Sequence, residues 1–253
     1  MTTVYLVRHA KSVGNTERIF QGRSNLGLSS EGMAQLPQLA ERFREIPLDA
    51  IYSSPLQRAM QTAEAVNHYH HLPVQTEEGL CEIFAGEWEM KHFSDLPVLF
   101  PDQWRLWCED EAHFCAPNGE SIVQVHHRLS STIDRIAAQN DGKIIAVVSH
   151  GCALRCYLCH ALGISLERIG EIPLSQNTAG PGRLLLGVRA PLLKKRIKMK
   201  RTVSCEVYDR RKILTIPTPV VTKGLNHRDF GAAFPGIPKS FPHLPGKKGK
   251  EKD

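Results

Sequence analysis

The feature that most constrains the fold is a pair of short apolar segments, each followed by a histidine. The segment Val4–Val7 lies just before His9, and Ile144–Val148 lies just before His150. Short apolar runs that are rich in β-branched residues predict strands buried on both faces of a sheet. Such strands need helices above and below the sheet, so these segments alone predict an α/β architecture.

Segments with helical periodicity separate these strands from a third predicted strand at 49–53. Helices are predicted after Ser29, after Pro55, over 120–138 and over 153–162. Strands that alternate with helices predict a doubly wound, mainly parallel sheet with helices on both faces. Residues 84–120, rich in Trp, Asp, Glu and Pro, predict a small helical lid. Ligands of such sheets bind at the carboxyl ends of the strands, where both histidines are expected.

The charge of the chain changes sign near Gly180. Residues 1–179 contain 14 Lys and Arg against 21 Asp and Glu, whereas residues 180–253 contain 18 against 5. This change predicts a folded domain over 1–179 and a basic, poorly ordered appendage over 180–253. Within the appendage, 184–188 is the nearest apolar run that could add a strand. The sequence pI of about 9.0 therefore belongs to the appendage and argues against nucleic acid as a partner of the domain.

The composition predicts a cytoplasmic protein without membrane contact. The sequence contains no apolar run of membrane-spanning length, and the N-terminal residues do not have the pattern of a signal peptide. Its seven cysteines are an odd number without the spacing of a secreted scaffold, which favours reduced thiols.

Five motifs occur in an order that resembles the histidine phosphatase superfamily, in its phosphoglycerate-mutase-like branch. The resemblance covers roughly residues 3–179. Within this branch the chain is similar to the small bacterial phosphatases, which include the α-ribazole phosphatases. The motifs are Leu6–Asn15, Ser53–Ala63, Leu80–Ile83, Gly86–Glu89 and Ser149–Gly151.

The resemblance implies hydrolysis of a small-molecule phosphate monoester through a phosphohistidine intermediate. His9 is the implied nucleophile, and Glu82 is the implied general acid and then general base. The implied catalytic set also contains Arg8, Arg58 and His150. The implied phosphate ligands are Arg8, Ser12, Asn15, Arg58, His150 and the backbone N–H of Gly151. No cofactor and no metal is expected, because arginines supply the positive charge.

These residue types suit phosphoryl transfer, in which catalysis is mostly positioning and charge stabilisation. Arg8 and Arg58 each offer a planar fork of donors to phosphate oxygens. A histidine with its ordinary pKa of about 6.5 is largely neutral at pH 7, so His9 can act as a nucleophile. His150 would donate as well if a bound phosphate dianion keeps it protonated. Glu82 must carry a proton to act as the acid, which partial burial would favour.

Two other functions remain open at this stage. A phosphoglycerate-type mutase would use the same chemistry but retain a bisphosphate intermediate in a closed pocket. A phospho-ligand-binding protein without turnover would not need both His9 and Glu82. The physiological ester and the oligomeric state are not determined by the sequence.

Two further patterns are interpreted as packing. Cys156–His160 has the spacing of haem attachment, which requires an exported protein, and its cysteines share a helical face with Cys152. Trp104 and Trp107 have helical spacing and are predicted to form the core of the lid.

Overall fold

The structure, a computed structural model, describes residues 2–172 and three later strands. Within these residues one sheet contains seven strands in the order β3-β2-β4-β1-β5-β6-β7. The first four along the chain pair in parallel, and the last three pair antiparallel. The strands are β1 (Thr2–Arg8), β2 (Ala50–Ser53), β3 (Val74–Thr76), β4 (Ile144–Ser149), β5 (Leu186–Ala190), β6 (Cys205–Asp209) and β7 (Lys212–Thr215).

The doubly wound α/β fold is confirmed, with a four-stranded parallel centre. The antiparallel extension is larger than the sequence indicated. The apolar run at 184–188 suggested one added strand; the structure places β5 at Leu186–Ala190 and continues through β6 and β7. Lys and Arg residues precede and separate these two strands, so their apolar runs are short and interrupted by charge. The remainder of the predicted disordered appendage lies outside the described residues.

Helices cover both faces of the sheet. They are α1 (Val13–Glu17), α2 (Ser30–Phe43), α3 (Gln57–Asn67), α4 (Leu96–Leu99), α5 (Pro101–Glu109), α6 (Ile122–Gln139) and α7 (Gly151–Leu162). Ser29 caps α2 by accepting from the Gly32 amide at 3.1 Å, and Pro37 lies inside that helix without ending it. Among the described helices, none has the length and apolar character needed to cross a membrane.

Core residues alternate between the two faces along each central strand. In β1, Leu6 belongs to the cluster beneath α6 and α7, whereas Val7 belongs to the cluster beneath α2 and α3. In β4, Val147 and Val148 divide in the same way. Each buried Val or Leu contributes about 1.5–3 kcal/mol relative to an exposed one. The strands that precede the two histidines are therefore firmly held.

The segment 84–120 contains α4, α5 and two short 3-10 turns, and it packs through aromatic rings. Trp88 is fully buried, and its ring centroid lies 5.3 Å from Phe20, 6.1 Å from Trp107 and 4.8 Å from Phe114. Trp104 packs against the same cluster. This aromatic cluster is continuous with the core beneath α6 and α7, so the segment is anchored to the domain.

We predict that a chain ending at Thr178 is less soluble than one ending at Thr215. The shorter chain lacks β5, which leaves the outer edge of β1 unpaired, and an open sheet edge favours aggregation. The longer chain retains all strands described above and is the control. Soluble yield and the midpoint of thermal unfolding measure the effect. Equal values for the two chains would contradict a stabilising role for β5.

Candidate active site

The pairing of β1 with β4 brings the two predicted histidines together. Arg8 pairs with Ser149 in the parallel register, so His9 and His150 follow at the same end of neighbouring strands. The His9 amide donates to the Ser149 carbonyl at 3.0 Å, and the two imidazole centroids are 5.1 Å apart. Both rings are buried. The residues therefore meet at the carboxyl ends of the strands, where a ligand is expected.

His9 is held as a neutral imidazole with one nitrogen available. Its Nδ1 lies 2.7 Å from the carbonyl oxygen of Ala10, which can only accept, so Nδ1 carries the proton. Nε2 then retains its lone pair. Burial, and then the charges of Arg58 and Arg8, hold the pKa of His9 well below its ordinary value of 6.5. This is the state that a nitrogen nucleophile requires.

His150 is also neutral, and Ser54 orients its ring. Burial, followed by the charge of Arg58, lowers the pKa of His150 well below 6.5. Its Nε2 lies 2.8 Å from the Ser54 hydroxyl, whose alternative acceptor, the Cys81 sulfur, is a weak one at 3.7 Å. The Ser54 hydroxyl therefore fixes the orientation of the His150 ring. In the unliganded site His150 is thus neutral rather than protonated as considered above.

Arg58 combines a fixed position with unused donors. Its side chain is buried, with Nη1 donating to the Ser24 carbonyl at 2.8 Å and Nη2 to the Gly22 carbonyl at 2.6 Å. Three of its five N–H groups remain, and Nε is buried with no acceptor among the described residues. His150 Nδ1 is likewise buried and has no hydrogen-bond partner among the described residues. A buried guanidinium donor and a buried ring nitrogen, both unpartnered and beside His9, indicate a place for an anion.

Glu89 holds the loop that positions Arg58. Its Oε1 accepts from the Arg23 amide at 2.7 Å, and its Oε2 accepts from the Ser24 amide at 2.9 Å. Gly22 has a φ of +46°, and a Cβ there would lie 2.1 Å from the Glu89 carboxylate. Only glycine therefore fits at this position. Glu89 lies in the motif Gly86–Glu89, but the motif alone does not indicate these contacts.

Arg8 packs its guanidinium against Gly151. A Cβ at position 151 would lie 3.0 Å from the Arg8 Cζ, so the absence of a side chain lets the two groups approach. Burial lowers the pKa of Arg8 to about 10, with the charge of Glu82 acting in the opposite direction, and the group stays charged at neutral pH. The Gly151 amide is the first of α7 and has no partner within the helix, as expected for a phosphate ligand at this position.

Glu82 is bound at the N-terminus of α7. Its carboxylate accepts from the amides of Cys152 at 3.1 Å, Ala153 at 3.0 Å and Ile83 at 3.0 Å. These three hydrogen bonds fix the position of the Glu82 carboxylate at the start of α7.

Ser12 and Asn15 form the cap of α1. The Ser12 hydroxyl donates to Asn15 Oδ1 at 2.8 Å and accepts from Gln21 Nε2 at 2.8 Å. The hydroxyl proton is thus already used, and Ser12 would have to release Asn15 to donate to phosphate. The backbone N–H of Asn15 donates to Ser12, so the side-chain Nδ2 of Asn15 is the donor of this pair that takes no part in the cap.

The residues that the sequence analysis did not identify are those that orient the site. Ser54 stands next to Pro55 in a recognised motif, and Glu89 lies in another, but neither motif shows what the side chain contacts. Gln21 gave no signal, because a glutamine in a loop has many ordinary explanations. Within residues 2–172 and the later strands, no group of three His, Cys, Asp or Glu is arranged to hold a metal ion.

Comparison with known proteins defines the family. The profile of the histidine phosphatase superfamily (branch 1) matches residues 4–180. The putative phosphoserine phosphatase 2 of Hydrogenobacter thermophilus is 33% identical over 172 residues, covering 68% of this chain and 84% of that protein. The probable phosphoglycerate mutase GpmB of Proteus mirabilis is 33% identical over 165 residues, covering 65% and 76%. A solved putative alpha-ribazole-5'-P phosphatase from Escherichia coli superposes with a TM-score of 0.70 at 25% identity, covering 85% and 99%.

The chain belongs to the histidine phosphatase superfamily, branch 1. It is a histidine phosphatase, an enzyme of phosphomonoester hydrolysis through a phosphohistidine intermediate. The resemblance deduced from the five motifs is thereby confirmed.

An ordinary histidine gains its proton as the pH falls from about 7 to about 6. We predict that the imidazoles of His9 and His150 stay neutral over this range. Both pKa values are lowered, so protonation is delayed to more acidic solution. Arg58→Met should raise both pKa values, because it removes the largest charge contribution in each case. Imidazole NMR resonances, assigned with His9→Ala and His150→Ala, report the titration. A wild-type midpoint at or above 6.5 would contradict the electrostatic description.

Proposed function

We propose that this enzyme hydrolyses small, polar phosphate monoesters with His9 as the nucleophile and Glu82 as the proton donor. The observation that supports this best is a pair of buried nitrogens beside a neutral His9, Arg58 Nε and His150 Nδ1, neither of which has a hydrogen-bond partner among the described residues. A phosphoryl group would accept from Arg58 Nε, and also from His150 when its proton is on Nδ1. The proposal places all catalytic groups within residues 1–179.

In the first step Nε2 of His9 attacks phosphorus, and the bond from phosphorus to the ester oxygen breaks. The electron pair of that bond goes to the leaving oxygen, which takes a proton from Glu82. Arg8, Arg58 and His150 stabilise the charge on the equatorial oxygens. The Nδ1–H bond to the Ala10 carbonyl stabilises the positive charge that the ring gains.

In the second step a water molecule attacks the phosphohistidine, and Glu82 accepts the proton that the water loses. The bond from phosphorus to nitrogen breaks, its electron pair returns to Nε2, and inorganic phosphate leaves. The amides of Cys152 and Ala153 stabilise the Glu82 carboxylate that this step requires.

The proposal also covers the substrate class, the absence of a metal requirement and the cellular location. Phosphoserine-like and ribazole-phosphate-like esters are the first substrates to test, because the names of two relatives mention such compounds. Action without a metal is supported by the positive charges of Arg8 and Arg58 beside the two histidines. The seven cysteines without secreted spacing support a cytoplasmic location. Nucleic acid is not included as a partner.

We predict that His9→Ala abolishes turnover of p-nitrophenyl phosphate while the protein stays folded. Without the ring no covalent intermediate can form, so the acid-labile phosphoenzyme that we expect on rapid quenching of the wild type should be absent from this variant. His127→Ala, which alters an exposed histidine on α6, is the control and should keep both signals. Substantial turnover by His9→Ala, or strong inhibition of the wild type by EDTA, would exclude this mechanism.

We predict that Glu82→Gln lowers kcat/KM about 10²–10⁴-fold for an alkyl phosphate, the usual effect of removing a general acid. The loss should be much smaller for p-nitrophenyl phosphate, because nitrophenolate leaves without protonation. Steady-state kinetics with both substrates measure the difference. Equal losses would show that Glu82 does not protonate the leaving group. Transfer of phosphate to a second position of phosphoglycerate, rather than to water, would favour the mutase.

A further inference from the structure

Arg128 is a partly buried arginine outside the predicted site, and every one of its donors is used. It lies on α6, and its side chain is only 19% exposed. Its five N–H groups make five hydrogen bonds, three to backbone carbonyls and two to one carboxylate. Such complete use of a guanidinium fixes the segments that it contacts.

The three carbonyls all belong to the segment that carries Glu82. Nη1 donates to Gly79 at 3.0 Å and to Cys81 at 2.9 Å, and Nη2 donates to the Glu82 carbonyl itself at 3.3 Å. This segment contains a single 3-10 turn and then irregular backbone. Arg128 thus supplies hydrogen bonds that a regular element would otherwise provide.

The carboxylate bound by Arg128 fixes the residues on the other side of Glu82. Glu120 accepts from Arg128 Nε at 2.9 Å and from Nη2 at 2.8 Å, and its Oε2 also accepts from the Phe84 amide at 2.8 Å. Its side chain is 17% exposed. The pair of Arg128 and Glu120 therefore fastens the chain from Gly79 to Phe84.

We infer that Arg128, held by Glu120, is a positioning residue that sets the place of the Glu82 carboxyl group relative to the leaving oxygen. Arg128 holds the backbone of Glu82, while the α7 amides hold its carboxylate. The transfer of a proton requires a hydrogen-bond distance between donor and acceptor, and a displacement of about 1 Å can cost about 10²-fold in rate. The inference rests on the proposed role of Glu82.

A lysine at position 128 is the sharpest substitution. It keeps the positive charge but offers three donors from a single nitrogen, which cannot reproduce a planar fork shared by three carbonyls and a carboxylate. The segment from Gly79 to Phe84 would lose part of its support. Arg58 and His150 have no hydrogen bond to Arg128 among the described contacts, and lysine keeps the positive charge that acts on His150, so both groups should stay in place.

The experiment compares kcat/KM for glycerol 2-phosphate and p-nitrophenyl phosphate in wild type, Arg128→Lys, Glu82→Gln and the double variant. Arg128→Lys should lower the ratio of the two values, alkyl over nitrophenyl, by about 10–10²-fold. The double variant should have the ratio of Glu82→Gln alone, because no positioned acid remains. Inhibition by inorganic phosphate should be unchanged by Arg128→Lys. The ratio is independent of the folded fraction, so a loss of stability does not imitate the effect.

Arg135→Lys is the matched control. Arg135 lies on the same helix and pairs with Glu77 at 2.7 Å, but its side chain is 47% exposed and it makes no hydrogen bond to residues 79–84. Its replacement should leave the ratio unchanged. If Arg128→Lys cannot be obtained folded, Glu120→Gln tests the same pair and should lower the ratio in the same direction.

An unchanged ratio in Arg128→Lys, whether the two kcat/KM values stay the same or fall equally, overturns the positioning role. If this occurs while Glu82→Gln lowers the ratio, only the inference fails and the proposed acid stands. If Glu82→Gln also leaves the ratio unchanged, the assignment of Glu82 fails, and the role of Arg128 fails with it.

Discussion

The parallel pairing of β1 with β4 is the interaction on which the site depends. It sets Arg8 opposite Ser149, and one residue later it places two imidazoles with centroids 5.1 Å apart. Because side chains alternate along a strand, a shift of one residue would direct His9 to another face. The register is specified by apolar residues buried on both faces, such as Val147 and Val148. The packing of the core therefore also fixes the relative positions of His9 and His150.

Burial then determines the charges. Burial of the two rings, and then the charges of Arg58 and Arg8, disfavours proton uptake by His9 and His150, which leaves a neutral nucleophile in a positively charged pocket. The arginines themselves are tolerated because Glu82 opposes the effect of burial on both. A bound phosphate dianion would offset the positive charges of Arg8 and Arg58. The charges of the pocket are thus complementary to the ligand before it binds.

Two arginines of the same chemistry have different tasks, and the distinction lies in their unused donors. Arg58 gives two N–H groups to the carbonyls of Gly22 and Ser24 and keeps three. Arg128 gives all five, mainly to the segment around Glu82. An arginine with donors remaining can bind an anion, whereas one without them can only hold the protein. Glu89 and Glu120 play matching parts, since each fixes a loop by accepting from backbone amides.

Apolar strand patterns and the residues at strand ends are local signals, and they were enough to predict the α/β class, the parallel centre of the sheet and the meeting of His9 with His150. Five ordered motifs also indicated the family. The folded chain was needed to show the antiparallel strands, the neutral state of His150, the use of the Ser12 hydroxyl in a cap, and the contacts of Ser54, Glu89 and Arg128. Each of these depends on which backbone groups approach a side chain from distant parts of the chain. Protonation and hydrogen bonding are properties of such surroundings, and residue type alone does not specify them.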